Sequence, residues 1–275
     1  METFSADDGE RLHLRITGTG APLLMLHGWT ASHTLWNPLL EALTPHHRVF
    51  CPDARGHGGH ALAVTQTPDV ARLARDVLNL LDHYGLERAA VVGHSMGALT
   101  LWQYLRDHGC GRLTHLCIVD QSPKLVTDAG WASGIYGDFD AARGGSLIEA
   151  LEADFAEAVL RLIAYGRNAK ARAGYEKDSA GWQQARRNLR RLDPGPLVAI
   201  WKSLVAADYR DVLPHIVVPT LLAWGAESNF YGPGTAQYLL SRIPRATLSC
   251  YEAADHCPQL YQPQRFADEL LVFLA

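Results

Sequence analysis

A serine between glycines, Gly93-His94-Ser95-Met96-Gly97, follows the apolar run Ala89-Ala90-Val91-Val92 and precedes a helical pattern from Ala98 to His108. A serine at such a strand–turn–helix junction is placed for nucleophilic chemistry. Side chains flanking it would collide with neighbouring backbone in so tight a turn, and the serine itself is expected in strained φ/ψ space. The strain exposes Oγ at the carboxyl edge of the sheet and leaves the N–H of Met96 free to face a developing oxyanion. The competing reading is a Gly-rich turn with an incidental serine, and the partner residues decide between the two.

A serine hydroxyl needs a base to take its proton, and the base needs an orienting acid. Of the thirteen histidines, His256 in Ala254-Asp255-His256-Cys257-Pro258 is the best placed, just beyond the last predicted strand and at the same sheet edge as Ser95. His94 is held inside the turn, His27 belongs to a first glycine loop, and His57 and His60 sit in a second. The spacing of His57 and His60 suggests a metal pair, but no further ligand cluster accompanies them, so no metal and no cofactor is expected. Asp255 adjoins His256 and is a poor candidate to bridge to its ring. Cys257 has no positive cluster nearby to activate it and is expected to be a packing residue.

The elements needed to hold these residues can be read from hydrophobic periodicity. Arg11 to Thr17 alternates polar and apolar, as an antiparallel edge strand would, and Pro22 to Leu26 is continuously apolar up to His27-Gly28-Trp29. Arg48 to Cys51 leads into the turn Pro52-Asp53-Ala54-Arg55-Gly56-His57-Gly58-Gly59. Val70 to Tyr84 has helical spacing, and strands are expected at Leu113 to Val119 (ending at Asp120), Thr220 to Trp224 and Ala246 to Tyr251. A final helix begins after Pro263. Strands alternating with helices predict an α/β fold with a mostly parallel central sheet covered on both faces.

Between Pro123 and Pro214 the alternation stops and only helical patterns remain. The expected organisation is therefore a core of residues 1–122 and 214–275 with a helical lid, 123–213, inserted between them. Its aromatic residues suit lid core, and Trp131 and Tyr136, soon after Asp120, are the ones expected at a pocket mouth. Charge is uneven within it. Asp128 to Glu157 holds seven acidic residues and one arginine, whereas Arg161 to Arg191 holds nine basic and two acidic. Solvated helix face, or contact between the two halves, accounts for most of this pattern. A docking patch for an acidic carrier protein or a phosphate-bearing thioester is the alternative.

The chain has 275 residues, is 48% hydrophobic and 20% charged, and carries a formal net charge of -4. That is the composition of an ordinary globular protein, with no reason to expect nucleic acid or an anionic membrane as partner. The acidic N-terminus lacks the pattern of a secretory signal, and no apolar run approaches the roughly 20 residues of a spanning helix. Five cysteines without a C-x-x-C pair read as reduced thiols, and a cytoplasmic location is expected.

With His27-Gly28-Trp29, Asp53-x-Arg55-Gly56-x-Gly58, Gly-x-Ser95-x-Gly and the late His256 in order, the chain resembles the α/β-hydrolase superfamily over nearly its full length. The resemblance implies Ser95 as nucleophile, His256 as general base, and the backbone N–H groups of Trp29 and Met96 as oxyanion hole. Most relatives carry the acid three residues after the glycine that follows the penultimate strand. In Leu221-Leu222-Ala223-Trp224-Gly225-Ala226-Glu227-Ser228 that place is taken by Ser228, which supplies no charge. Asp120 occupies an alternative acid position used within this fold and is preferred. Glu227, one residue from the usual place, is the alternative acid, although it would need a local rearrangement to reach His256.

These residues predict a serine hydrolase that cleaves an ester-type bond of a small, apolar or aromatic substrate. A lactonase, thioesterase or carbon–carbon bond hydrolase would use the same residues, and a non-catalytic ligand-binding receptor is the alternative from another class.

Overall fold

The computed structural model describes residues 1–63 and 67–275. Its frame is an eight-stranded sheet in the order β1-β2-β4-β3-β5-β6-β7-β8. The strands are β1 (Glu2–Ser5), β2 (Arg11–Thr17), β3 (Ala21–Leu26), β4 (His47–Pro52), β5 (Ala89–His94), β6 (Leu113–Val119), β7 (Thr220–Gly225) and β8 (Ala246–Tyr251). Pairing from β4 to β8 is parallel, and β1 and β2 join antiparallel. Arg11–Thr17 is therefore the second strand rather than the edge. Glu2–Ser5 covers it, pairing Glu2 with Leu14 and Ser5 with Arg11. A four-residue strand with one buried side chain, Phe4, carries too little alternation to be read from sequence.

Successive side chains of the central strands enter two separate cores, as the period of two requires. Leu24, Val91, Ile118 and Leu222 face one core, which α2 (Val70–His83) and α3 (Met96–His108) close. Leu23, Met25, Val92, Cys117 and Ala223 face the other, beneath α1 (Asn37–Leu43) and α11 (Pro263–Leu274). Burial on both faces explains why β3, β5, β6 and β7 lack polar alternation.

Between β6 and β7 the chain forms α4 (Ala141–Ala153), α5 (Phe155–Ala164), α6 (Ala169–Glu176), α7 (Ala180–Leu189) and α8 (Pro194–Ala206). Among the described residues this stretch adds no strand to the sheet, only isolated bridges such as Lys124 to Asp208. The remaining helices are α9 (Pro233–Arg242) and the short α10 (Pro258–Tyr261). Among the described residues no helix is long and apolar enough to cross a membrane.

The parallel pairing puts the ends of β3, β5, β6, β7 and β8 on one edge. In an open α/β sheet that edge is where ligands bind. The register is direct: His94 pairs with Val119, and Val119 with Ala223. Ser95 and Asp120, which follow β5 and β6, and Gly225, which ends β7, are thereby delivered side by side.

Candidate active site

Ser95 adopts φ 52° and ψ −117°, the strained turn expected of it. The glycines on either side are required by contact. A Cβ on Gly93 would lie 2.7 Å from the backbone of Gly97 and Ala98, and one on Gly97 would lie 2.4 Å from the carbonyl oxygen of Leu26. The elbow therefore packs directly on β3. Gly28, just past β3, approaches just as closely, since its Cβ would meet the His94 ring at 2.8 Å and Ser95 Cβ at 3.2 Å. This contact brings the backbone of Trp29 beside the serine. Met96 opens α3, where first-turn N–H groups have no intrahelical acceptor.

Asp120 follows β6 with its own positive φ of 44° and is completely buried. Its Oδ1 lies 2.9 Å from His256 Nδ1 and accepts a 2.7 Å hydrogen bond from the Ser228 hydroxyl. Its Oδ2 accepts the Gly225 N–H at 2.9 Å. A carboxylate with three partners in a dry site is both compensated and rigid. With Asp120 as acceptor, the Nδ1 of His256 carries the proton and Nε2 is left with its lone pair. The imidazole is wedged edge-on against Phe230, ring centroids 4.6 Å apart.

Glu227 is not part of this group. It stands at the surface and pairs with Lys170 of α6 at 2.8 Å. Asp255 contacts the backbone of His256 rather than its ring, accepting the N–H at 2.6 Å. His94 ties the elbow to the loop of His256, its Nε2 donating to the carbonyl oxygen of His256 at 3.0 Å, and burial holds its pKa well below the usual histidine range. Cys257 lies 3.6 Å from the same Nε2, and its thiol is pushed up to about 12 by burial and by the carboxylates of Asp120 and Asp255. A raised thiol pKa disfavours the nucleophilic thiolate.

The two histidines of the second glycine loop serve different partners. His57 Nδ1 bonds the Arg55 carbonyl, while His60 reaches Asp53 at 3.2 Å and stacks on His13. His27 accepts the Ala54 N–H at 3.0 Å and donates to the Gly28 carbonyl at 2.7 Å, joining the two glycine loops beneath the site.

Ser95, Met96, Trp29 and His256 line one cavity of about 230 Å³. Leu99 of α3, Val159, Leu162 and Ile163 of α5, and Trp201 and Leu204 of α8 make its walls largely apolar. Trp131 and Tyr136, expected at the mouth, are not on the wall. The Trp131 indole donates to the Lys124 carbonyl at 2.9 Å and packs on Tyr238. Tyr136 stands behind the wall, stacked on Phe230 and bonded to the Leu162 carbonyl. The segment after Asp120 reaches the cavity through Leu125 and Ile135 instead, beside the side chains of α5 and α8. The sequence singled out Ser228 only as a place without charge, and its role as hydrogen-bond donor to Asp120 appears in the structure alone.

The charge asymmetry of the helical stretch is partly internal. Arg186 from the basic half pairs with Glu157 from the acidic half at 3.1 Å and with Asp178 at 2.6 Å, and Arg172 pairs with Glu176.

The sequence profile of the alpha/beta hydrolase fold family matches residues 21–263, and the chain belongs to that family and is an enzyme of it. It is 29% identical over 263 residues to a pimeloyl-[acyl-carrier protein] methyl ester esterase of Vibrio vulnificus, covering 95% of this chain and 97% of that one. It is 26% identical to a non-heme chloroperoxidase of Kitasatospora aureofaciens over 100% of this chain and 99% of the relative. Among solved structures, an esterase from Exiguobacterium antarcticum superposes with a TM-score of 0.84 at 22% identity, covering 99% of this chain and 98% of that one. The last likeness speaks to the fold alone.

Proposed function

We propose that the protein is a serine hydrolase that cleaves a carboxylic ester of a small, apolar or aromatic acyl group through an acyl-enzyme. Ser95 Oγ attacks the carbonyl carbon while His256 Nε2 takes its proton. Asp120 holds the imidazole in the required tautomer and stabilises the imidazolium. The N–H groups of Trp29 and Met96 receive the oxyanion. His256 then returns the proton to the departing alkoxide, and a water activated by the same nitrogen releases the acid. No cofactor enters these steps.

The observation that carries this reading is the 2.9 Å contact between Asp120 and His256, with His256 and a strained Ser95 on the wall of one apolar cavity. Residues 123–213 act as the lid of that cavity, because Val159, Leu162 and Ile163 of α5 and Trp201 and Leu204 of α8 form part of its apolar wall. The apolar lining favours an uncharged acyl group. The ester named in the Vibrio relative is borne on a carrier protein; here a free small ester is the substrate to which the reading commits.

Purified protein assayed with p-nitrophenyl esters of graded chain length, with lactones, acyl thioesters and a carrier-borne methyl ester alongside, tests the proposal. Saturable turnover of esters exceeding that of lactones and thioesters supports it. Preference for either of the others reassigns the bond cleaved, and no turnover of any substrate favours a binding protein.

A further inference from the structure

The loops that carry the base and the contact to the acid are both clasped by one turn of the helical insertion. Asn168, between α5 and α6, uses every polar group it has there. Its Nδ2 donates to Asp255 Oδ2 at 3.0 Å, its N–H donates to Asn229 Oδ1 at 3.0 Å, and its Oδ1 caps α6 by accepting the Lys170 N–H at 2.9 Å. Asp255 Oδ1 in turn accepts the N–H of His256 and the N–H of Asn229, each at 2.6 Å. Asn229 is buried, and its Nδ2 donates to the Ile163 carbonyl while its own carbonyl accepts the Arg167 N–H at 2.8 Å. The fit leaves no slack at Gly166, where a Cβ would meet Asn229 Oδ1 at 2.4 Å.

Two physical needs meet here. The end of α5 leaves carbonyl groups without an intrahelical partner, and Asn229 and Tyr136 satisfy those of Ile163 and Leu162 from outside the helix. Leu162 and Ile163 are also cavity wall. The second need is the alignment of the base. Asp255 is covalently next to His256, and its carboxylate is pinned from both sides, so its rotamer fixes the peptide N–H from which the imidazole hangs. Asn229 directly follows Ser228, the donor to Asp120.

We propose that Asn168, Asn229 and Asp255 are positioning residues: a clasp through which docking of the helical insertion aligns His256 against Ser95 and Asp120. The inference rests on the assignment of those three residues to the chemistry. When the insertion is seated, Asn168 locks Asp255 and the base is held. When it lifts, Asp255 loses its Oδ2 partner and the His256 backbone is freed, so ester is attacked only in a closed site. The sensitivity is steep, since misplacing a reacting group by about 1 Å costs on the order of 100-fold in rate.

The discriminating variant is Asn168→Asp. Aspartate caps a helix as well as asparagine does, so α6 is retained, while a second carboxylate is set against Asp255 and repels it. Steady-state hydrolysis of p-nitrophenyl acetate is measured for the wild type, Asn168→Asp and Asn168→Ser, each normalised to active sites titrated with a fluorophosphonate and each checked by thermal melting. The clasp predicts kcat falling about tenfold or more for Asn168→Asp and less for Asn168→Ser, with KM for this smallest ester within about twofold and little change in Tm; losses of this size match those of a mispositioned acid–base group.

An Asn168→Asp protein with wild-type kcat overturns the inference, as does one in which only KM rises, since either would make the clasp a matter of folding or substrate entry. A wild type that neither turns over ester nor takes up the fluorophosphonate fails the serine hydrolase assignment itself, which is a separate result.

Discussion

The hydroxyl of Ser228 donates to Oδ1 of Asp120 at 2.7 Å, the same oxygen that His256 Nδ1 reaches at 2.9 Å. Under the proposed assignment, Ser228 helps to orient the acid Asp120, which follows the neighbouring strand β6. The β6–β7 register makes the contact possible, because Asp120 N–H bonds the Ala223 carbonyl at 3.0 Å and so stands level with the turn that opens at Gly225.

Asp120→Asn keeps the shape of the acid but favours the wrong imidazole tautomer. The corresponding change in a serine protease costs about 10⁴ in kcat, and here a loss of at least about 10³ is expected. Glu227→Gln removes only an exposed pair with Lys170 and is expected to stay within about tenfold, since such pairs contribute little. Steady-state kinetics on variants of matched thermal stability checks both. A crippled Glu227→Gln beside an active Asp120→Asn would move the acid to the commoner strand.

Ser228→Ala leaves Asp120 with two partners instead of three. Loss of the hydrogen bond to a buried charged group, together with the longer 3.3 Å bond from the Tyr231 N–H, is expected to lower stability by about 1–3 kcal/mol and kcat by no more than about tenfold, as orientation by Gly225 remains. Ser228→Asp is predicted to be the worse variant, because two buried carboxylates on one imidazole cannot both ionise freely. Chemical denaturation with kinetics decides. A Ser228→Asp protein as stable and active as the wild type would show the acid to be interchangeable between the strands.

Trp201 is a wall residue and Trp131 is not. Trp201→Leu opens the cavity and is expected to shift the optimum among p-nitrophenyl esters toward longer or bulkier acyl groups. Trp131→Leu is expected to lower Tm while leaving the chain-length profile in place, since the indole packs on Tyr238 and bonds Lys124. The ratio of kcat/KM between a long and a short ester reads the difference. A profile shifted by Trp131→Leu and untouched by Trp201→Leu would reverse the assignment.

Acid stability depends on the buried histidines beneath the glycine loops. Burial pushes His57 down to about 3, and His27 and His94 are lowered by the same cause. The unfolded chain takes up a proton near pH 6.5 that the native His57 refuses until about pH 3. Their stabilisation is therefore complete above pH 6.5 and is lost as pH falls, by up to about 1.4 kcal/mol per pH unit for His57 alone. Tm is expected to fall between pH 7 and pH 5, and less steeply in His57→Asn measured from its own pH 7 value. A Tm that is flat or rises over that interval contradicts this.

The strained turn at Ser95 and the contact between Asp120 and His256 were legible because each is announced locally. Gly93 and Gly97 flank the serine, Asp120 closes the apolar run of β6, His256 lies just past β8, and Ser228 stands where a charge is missing. The parallel sheet followed from strands buried on both faces. Strand β1 was not legible, since Glu2–Ser5 acquires its identity only by pairing with β2. The pocket wall was not legible either. Which helix face meets the cavity depends on how α5 and α8 cross the sheet edge, and no periodicity within those helices encodes that. The clasp at Asn168 escaped for the same reason: its partners, Asn229 and Asp255, are 61 and 87 residues away.

The central claim is that Ser95 is an activated nucleophile, and covalent trapping tests it most directly. Intact-protein mass spectrometry after incubation with a fluorophosphonate is predicted to show one adduct per chain, mapped by peptide sequencing to Ser95. The adduct should be absent in Ser95→Ala and form far more slowly in His256→Ala. A wild-type protein that stays unmodified after prolonged exposure, or an adduct that persists in Ser95→Ala, would contradict the account.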